Sequence, residues 1–497
     1  MRLGVIFLKL ARFLFGVNVR GVSLENLAPD CEITAVCDDS RQATDGCMFI
    51  CLRGIRDDGH NHVPQAIERG AAVVVCERAD TIPPGTPYIL VDDTRSACAK
   101  IWNNFCGGPA SKLRIVAVTG TNGKTTTASL IEKLLSAAGG TESGVRLIGT
   151  LTGTLTTPDP HDLYPMLASF VREGSGSVVM EASSHALALG KLDALVPEIA
   201  VFTNLSPEHL DFHGTMDAYF EAKAKLFRMA RVGVVNADDG YFERLSAAAT
   251  CPIKSYSPSG EKASYRAVNV RYHGAEGTSY ILLGPGVETE IYTPLCGAFN
   301  VANTLAAAAA ALELGIPPET VARAIAEFKA VLGRFERVPT PGTGFDVFID
   351  YAHTPDALEN ILRAARGVMK PGGRLTVLFG CGGDRDPYKR PVMGRVASTL
   401  ADFTVITSDN SRSEKPSDII AQILKGFDRE RPHKVIENRA EAIKYALSSA
   451  REGDLIILAG KGHENYEITA SGKRHFDERE IVAEWLAGWQ SDAGRQI

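Results

Sequence analysis

Residues 118–127 read Val-Thr-Gly-Thr-Asn-Gly-Lys-Thr-Thr-Thr and carry the most legible chemistry in the chain. Gly120 and Gly123 let backbone N–H groups come close to an anion. Lys124 offers a point charge to β- and γ-phosphates, and Thr125 a hydroxyl to Mg²⁺. Thr121, Asn122 and Thr126 complete the run. Such a loop needs a strand before it and a helix N-terminus after it, whose unpaired N–H groups add partial positive charge. The spacing is a variant. Five positions before Gly123 stands Val118, and the nearest upstream glycine is Gly120.

Other residues could join this chemistry. Glu181 closes an apolar run, and a carboxylate there can hold Mg²⁺ directly or through water. Ser183 and Ser184 behind it suit an ordinary strand-end turn equally well. Residues 204–214 then bring His209 and His213 together with Glu208 and Asp211. His209 is a candidate metal ligand. Lys223 and Lys225 lie on an amphipathic stretch, 219–227, where a solvated lysine is the default. Arg385 and Arg412 stand in loops rich in glycine and acids. Arginine forms bidentate bonds to carboxylates and phosphates, though most loop arginines do nothing so specific.

Strands and helices must place these groups. Residues 113–118, 177–181, 199–204 and 233–236 read as buried strands, and 128–135 as the helix after the loop. Alternation of this kind predicts a mainly parallel sheet flanked by helices. Ligands then lie beyond the carboxyl ends of the strands, where Gly120, Glu181 and Asn204 fall. The alanine-rich run 303–314 is a strong helix former. Strands at 345–350, 375–380, 403–407 and 455–459 repeat the rhythm. They put 351–353, 382–385, 409–410 and 460–463 at one edge of a second sheet. The first block shows strands at 47–52 and 71–76 around a helix at 63–69. Residues 107–111 and 333–344 read as linkers. The expected fold class is α/β in three domains. These are a smaller N-terminal α/β domain (1–111), a central P-loop-type domain with a mainly parallel sheet (112–333) and a C-terminal Rossmann-like domain (334–497).

Composition agrees with a globular chain of about three domains: 497 residues, 45% hydrophobic and 23% charged. A net charge of -6 argues against nucleic acid as a main partner and leaves acidic small molecules open. Seven of the ten cysteines precede residue 107. Cys47 and Cys51 are the closest pair and lack a second pair or a histidine cluster, so they read as core thiols, with zinc a remote alternative. Residues 1–17 hold an apolar run broken by Lys9 and Arg12, which suits an amphipathic first helix better than a signal peptide. No segment reaches the roughly 18 apolar residues of a membrane span. A cytoplasmic chain without stable membrane insertion is expected.

Gly-Thr-Asn-Gly-Lys-Thr-Thr, Glu-Ala-Ser-Ser-His, Thr-Asn-Leu-Ser-Pro-Glu-His-Leu-Asp-Phe-His and Ala-Lys-x-x-Leu-Phe together resemble the Mur ligases. These are ATP-dependent amide-forming enzymes of bacterial cell-wall precursor synthesis. The glycine loop alone also fits folylpolyglutamate synthase. Asp39-Ser40-Arg41 and Gly46-Cys47-Met48-Phe49-Ile50 look like the family's uridine-nucleotide domain. The segment Asp350-Tyr351-Ala352-His353-Thr354-Pro355 looks like part of its C-terminal domain. The N-terminal block and the Asp409-Asn410-Ser411-Arg412 loop point to the branch that adds the third peptide residue.

The resemblance implies roles. Ser40 would contact the uridine nucleotide. Thr156, Thr157 and Ser183 would hold the muramoyl-dipeptide part. Lys191 stands where many relatives carry arginine, and Leu189 where they carry glutamine, so nucleotide-substrate contacts would differ here. Lys223 occupies the position that the family carbamylates, and with Thr125, Glu181 and His209 it would share one or two Mg²⁺ ions. Asn300 and Arg334 would contact ATP, with Asp350 close in role. Asp409, Asn410, Ser411, Arg412, Arg385, Gly460 and Glu464 would form the amino-acid pocket.

The implied reaction joins meso-diaminopimelate to UDP-N-acetylmuramoyl-L-alanyl-D-glutamate, in a monomer. Lysine lacks the distal carboxylate of diaminopimelate, and an arginine such as Arg412 can pair with that group. The family's diaminopimelate-type loop reads Asp-Asn-Pro-Arg, and Ser411 replaces its proline. L-lysine as substrate, or an inactive nucleotide-binding relative, are the alternatives.

Overall fold

The computed structural model describes residues 10–24, 26–28, 31–54, 57–139, 144–153, 155–260 and 262–493. The helix expected over 1–17 therefore lies largely outside the described residues. Two compact units are present: Met1–Tyr256 with Ala306–Ile316, and Ser257–Leu305 with Pro317–Ile497.

The first unit holds two sheets. Strands β1 (Val19–Ser23), β2 (Ala35–Cys37), β3 (Cys47–Ile50), β4 (Val73–Cys76) and β5 (Tyr88–Val91) form one, in the order β1-β5-β4-β3-β2. Only β1 runs antiparallel, against β5. Cys47, Cys51 and Cys76 are buried free thiols on one face of this sheet, packed with Phe49 and Val74.

The second sheet contains β6 (Arg114–Thr119), β7 (Gly144–Ile148), β8 (Ser175–Glu181), β9 (Ile199–Phe202), β10 (Val232–Asn236) and β11 (Ile253–Ser257). These six are parallel, in the order β11-β10-β9-β6-β8-β7. Strand β6 is fully buried from Ile115 onward, as a central parallel strand must be. Its neighbours β8 and β9 lie on opposite sides, so the chain leaves the sheet at a switch point between them, where such sheets place ligands.

The second unit begins with antiparallel strands β12 (Tyr265–Tyr272), β13 (Thr278–Gly284) and β14 (Val287–Thr293). This meander is absent from the sequence expectation, whose apolar runs were all parallel-sheet runs. In β12 and β14 charged and polar residues interrupt the apolar ones, and the apolar run of β13 is only four residues, Tyr280–Leu283. Strands β15 (Glu336–Val338), β16 (Asp346–Asp350), β17 (Leu375–Phe379), β18 (Phe403–Ile406), β19 (His433–Val435) and β20 (Leu455–Ala459) form a sheet ordered β15-β16-β20-β17-β18-β19. All pairs are parallel except β15 with β16. Strand β15 falls inside the expected linker 333–344, a correction. Three residues among prolines and glycines are too few to show a pattern.

The alanine-rich run lies in helix Ala298–Glu313, with Ala306 through Ala311 wholly buried. Small side chains let a helix be packed on all sides.

Candidate active site

Strand β6 ends at Thr119 and helix Lys124–Gly139 starts after four intervening residues, so the glycine loop sits between them as the motif requires. Gly120 has φ 149° and Gly123 φ 85°. A Cβ at Gly120 would overlap Thr203 Oγ1, so both the backbone angle and the space demand glycine here. The end of β9 clamps the loop from the side. Thr121 N–H donates to Asn204 O at 2.8 Å, Asn122 N–H to Asn204 Oδ1 at 2.9 Å, and Thr203 Oγ1 to Asn122 O at 2.6 Å.

Lys124 Nζ donates to Gly120 O at 3.0 Å and to Thr121 O at 2.8 Å. Lys223 Nζ donates to the same Gly120 O at 2.7 Å. Two amines thus converge on one carbonyl. Lys223 is 2% exposed on helix Met216–Met229. Burial, reinforced by the charge of Lys124, holds it well below the usual lysine range. It is not the solvated lysine that its helix position suggests by default.

Glu181 ends β8 and is 1% exposed. Its carboxylate accepts Thr125 Oγ1 at 3.0 Å and Thr150 N–H at 2.8 Å. Any side chain at Gly149 would displace that carboxylate. Thr125 and Glu181 are hard oxygen donors, the type Mg²⁺ takes. Among the described residues no group of three or more His, Cys, Asp or Glu is assembled for a metal. A site here would depend on Thr125 and on a modified Lys223 for its remaining oxygens.

His209 has a left-handed φ of 55°. Its ring packs edge-on against His185 at 4.7 Å between centroids, and His213 lies 5.5 Å from His185. His213 Nε2 and Ser184 Oγ are 3.0 Å apart. All three imidazoles are held below the usual histidine range, by burial first, and His213 falls to about 4. Like charges contribute, including Lys124 and Lys223 acting on His209. A neutral imidazole is the form that ligates a metal.

Thr157 Oγ1 donates to Glu181 O at 2.8 Å and accepts Ser183 N–H at 3.0 Å, while Thr156 pairs with Thr150 at 3.2 Å. Ser183 caps the short helix Ser184–Ala188 through Ala186 N–H. Thr156, Thr157 and Ser183 are therefore brought together with Glu181. Lys191 pairs with Asp159 at 2.6 Å. Ser40 is buried and donates to Gln65 Oε1 at 2.6 Å.

In the second unit Asn300 is buried, donating to Cys296 O at 2.9 Å and accepting from Asn303 Nδ2 at 3.0 Å. The Arg334 guanidinium lies 4.8 Å from the Tyr351 ring centroid. Asp350, at the end of β16, accepts Phe335 N–H and Ala352 N–H, each at 2.7 Å. Burial pushes its carboxyl up to about 6 against the opposing charge of Arg334.

The remaining predicted residues meet beyond β18 and β20. Lys461 is wholly buried and donates to Asn410 Oδ1 at 3.2 Å and Tyr466 O at 2.8 Å. Asn410 Nδ2 donates to Glu464 Oε2 at 2.7 Å. Burial pushes Asp409 up, but Arg439 and Lys461 outweigh it and hold the carboxyl below its usual range. A Cβ at Gly460 would stand 2.7 Å from Asp409 Oδ2. Arg412 Nη1 donates to Gly383 O at 2.8 Å. Ser411 is buried, and Arg385 is exposed on the adjoining loop. Sequence reasoning gave no role to Thr150, His185, Lys461, Arg390 or Glu414. Lys461, within Gly-Lys-Gly-His, and His185, within Glu-Ala-Ser-Ser-His, carried a signal.

The sequence matches the Mur ligase family catalytic domain over residues 32–105, the Mur ligase middle domain over 118–311 and the Mur ligase glutamate ligase domain over 333–462. It is 44% identical over 470 residues to a UDP-N-acetylmuramoyl-L-alanyl-D-glutamate--2,6-diaminopimelate ligase of Caldanaerobacter subterraneus subsp. tengcongensis, covering 92% of this chain and 96% of that protein. A ligase of the same name from Syntrophomonas wolfei is 41% identical, covering 94% and 97%. A solved structure of a UDP-N-acetylmuramoyl-L-alanyl-D-glutamate--2,6-diaminopimelate ligase superposes with a TM-score of 0.68 at 31% identity, over 94% of this chain and 99% of that one. With the glycine loop, the buried lysine and the carboxylate gathered at one switch point, the chain belongs to the Mur ligase family, the ATP-dependent ligases that form amide bonds.

Proposed function

We propose that this ligase joins meso-diaminopimelate to UDP-N-acetylmuramoyl-L-alanyl-D-glutamate, in three domains spanning 1–111, 112–333 and 334–497. The observation that carries the amino-acid assignment is the Asp409-Asn410-Ser411-Arg412 loop. Its Asn410 carboxamide bonds Glu464, the buried Lys461 lies between Glu464 and Asp409, and the Arg412 guanidinium binds the backbone carbonyls of Gly383 and Asn410. Meso-diaminopimelate ends in one ammonium and one carboxylate, and this loop offers a partner for each. L-lysine ends in an ammonium alone.

A carboxylate is a poor acyl donor because oxide is a poor leaving group. Transfer of the γ-phosphoryl group of ATP to the D-glutamate carboxylate gives an acyl phosphate. The free amine of diaminopimelate then attacks its carbonyl, the new C–N bond forms, and inorganic phosphate leaves. Lys124 and the N-terminus of helix Lys124–Gly139 stabilise charge on the transferring group. Thr156, Thr157, Ser183 and Lys191 orient the nucleotide-linked peptide, and Ser40 its uridine end. Asn300 and Arg334 position ATP.

Thr125, Glu181 and His209 would hold Mg²⁺, which supplies charge neutralisation to the phosphates. Lys223 is the residue we assign to carbamylation. Its buried amine is held neutral, and a neutral amine adds CO₂ to give a carbamate anion and one proton. That converts a nitrogen into the oxygen donors the site lacks. The chain acts as a cytoplasmic monomer; among the described residues no helix is long and apolar enough to cross a membrane.

Purified enzyme with ATP, the UDP-linked dipeptide and each amino acid separately tests the assignment. Phosphate release and product mass should show turnover with meso-diaminopimelate at least tenfold above L-lysine, about the discrimination that one buried charged contact supports. Equal or greater turnover with lysine would overturn it.

A further inference from the structure

Two loops distant in sequence, 380–386 and 409–414, are joined by one buried guanidinium. Arg390 is 1% exposed and belongs to helix Lys389–Leu400. Its Nη1 donates to Glu414 Oε2 at 2.7 Å and Gln422 Oε1 at 2.9 Å. Its Nη2 donates to Glu414 Oε1 at 2.8 Å and to Gly382 O at 3.0 Å. Glu414 Oε1 also accepts Asp384 N–H at 2.6 Å. Asp384 in turn accepts Ser413 Oγ at 2.5 Å and Ser413 N–H at 3.2 Å.

The two predicted pocket arginines flank this junction. A Cβ at Gly382 would stand 3.0 Å from Arg412 Nη1 and 3.8 Å from Arg385 Cγ. Asp384 and Arg412 both sit in the left-handed region, at φ 53° and 51°. Non-glycine residues stay there only when their surroundings hold them. Ser411 has no ring to fix its own φ. The loops bond each other directly, Gly383 N–H to Asn410 O at 2.9 Å and Ser413 to Asp384, and the Arg390–Glu414 pair adds a buried tie from the neighbouring helix.

We propose that Arg390 and Glu414 are positioning residues for amino-acid specificity: they hold the two loops at the separation that lets Arg385 and Arg412 meet the distal carboxylate of the substrate. The proposal rests on the diaminopimelate reading. A bidentate guanidinium–carboxylate pair fixes orientation as well as distance. An apolar pair of like volume would hold a core together as well or better, so the ion pair's contribution here is geometry.

The test uses the full-length enzyme with Glu414→Gln and Glu414→Asp. Glu414→Gln should raise KM for meso-diaminopimelate about tenfold, with KM for ATP and for the UDP-linked dipeptide unchanged within about twofold. The preference over L-lysine should fall by a similar factor, and Glu414→Asp should recover part of it. Because the pair acts through Arg412, the effect of Glu414→Gln should largely vanish in an Arg412→Ala background, a coupling that independent sites lack. Equal rises in all three KM values, additivity with Arg412→Ala, or unfolding of both Glu414 variants at assay temperature would overturn the proposal. The wild-type enzyme separates the two: a preference for L-lysine there overturns the diaminopimelate reading and this proposal with it, whereas a preference for meso-diaminopimelate that Glu414→Gln leaves unchanged overturns this proposal alone.

Discussion

The phosphate loop and the amino-acid loops solve opposite electrostatic problems. Around Gly120 like charges are crowded: Lys124 and Lys223 share one carbonyl oxygen, and His209 lies within reach of both charges. Burial first, and the neighbouring positive charge second, hold Lys223 and the histidines below their usual ranges, so they stand as neutral donors. Around Asn410 opposite charges are interleaved. Lys461 lies 3.5 Å from Glu464 and 3.9 Å from Asp409, and Arg390 pairs with Glu414 at 2.7 Å. On the proposed reading one region would receive an anion and a cation together. On the proposed reading the other would receive a zwitterion, which needs both signs at fixed spacing.

Removing one of the crowded amines should have the largest effect. Lys223→Ala should lower kcat by about 10²–10³-fold, the scale of losing one preorganised charged group. Acetate or another small carboxylate should restore part of it. Full activity of Lys223→Ala without added carboxylate would end the carbamate assignment. Arg412→Ala should act on the interleaved region alone. Loss of one charged hydrogen-bonding partner is expected to raise KM for meso-diaminopimelate about 30-fold. Turnover of L-lysine should change little, and a fall in both substrates' kcat alike would contradict a selective role.

The smallest effect concerns Asp350, whose carboxyl lies raised at about 6. The folded state then binds more protons than the unfolded state between the ordinary carboxylate range, about 4, and pH 6. Its contribution to stability is present below pH 4 and is lost as pH rises to 6. The melting temperature of wild type relative to Asp350→Asn should therefore fall by about one to two degrees from pH 4 to 6.5 and stay level above. A constant difference across that range would show that the carboxyl titrates normally.

The two regions were not equally legible in the chain. Strand β6, the glycine loop and its helix are contiguous, so their order alone sets the geometry. The expected strand 113–118 lies one residue from the observed Arg114–Thr119, and 455–459 is matched residue for residue. Glu181 and Asn204 were placed at strand ends because a parallel sheet puts all carboxyl ends on one edge. The meander β12–β14 was missed, since polar residues break up β12 and β14 and leave only the short run Tyr280–Leu283 in β13. In the amino-acid region Arg412 could be singled out by its motif, but the burial of Arg390 could not. Residues 385, 390 and 412 are all arginines in or near polar loops, and nothing local tells which one points inward.

By itself the sequence determined the alternating elements, the phosphate loop and the family, because these depend on neighbouring residues and on strand-end arithmetic. Only the tertiary structure decided that Lys223 is buried on Gly120 O, that three histidines pack together, and that Arg390 ties two loops through Glu414. Those facts depend on which side chains lose water when distant segments meet. Desolvation, unlike helical or strand periodicity, is a property of the packed whole and leaves no pattern along the chain.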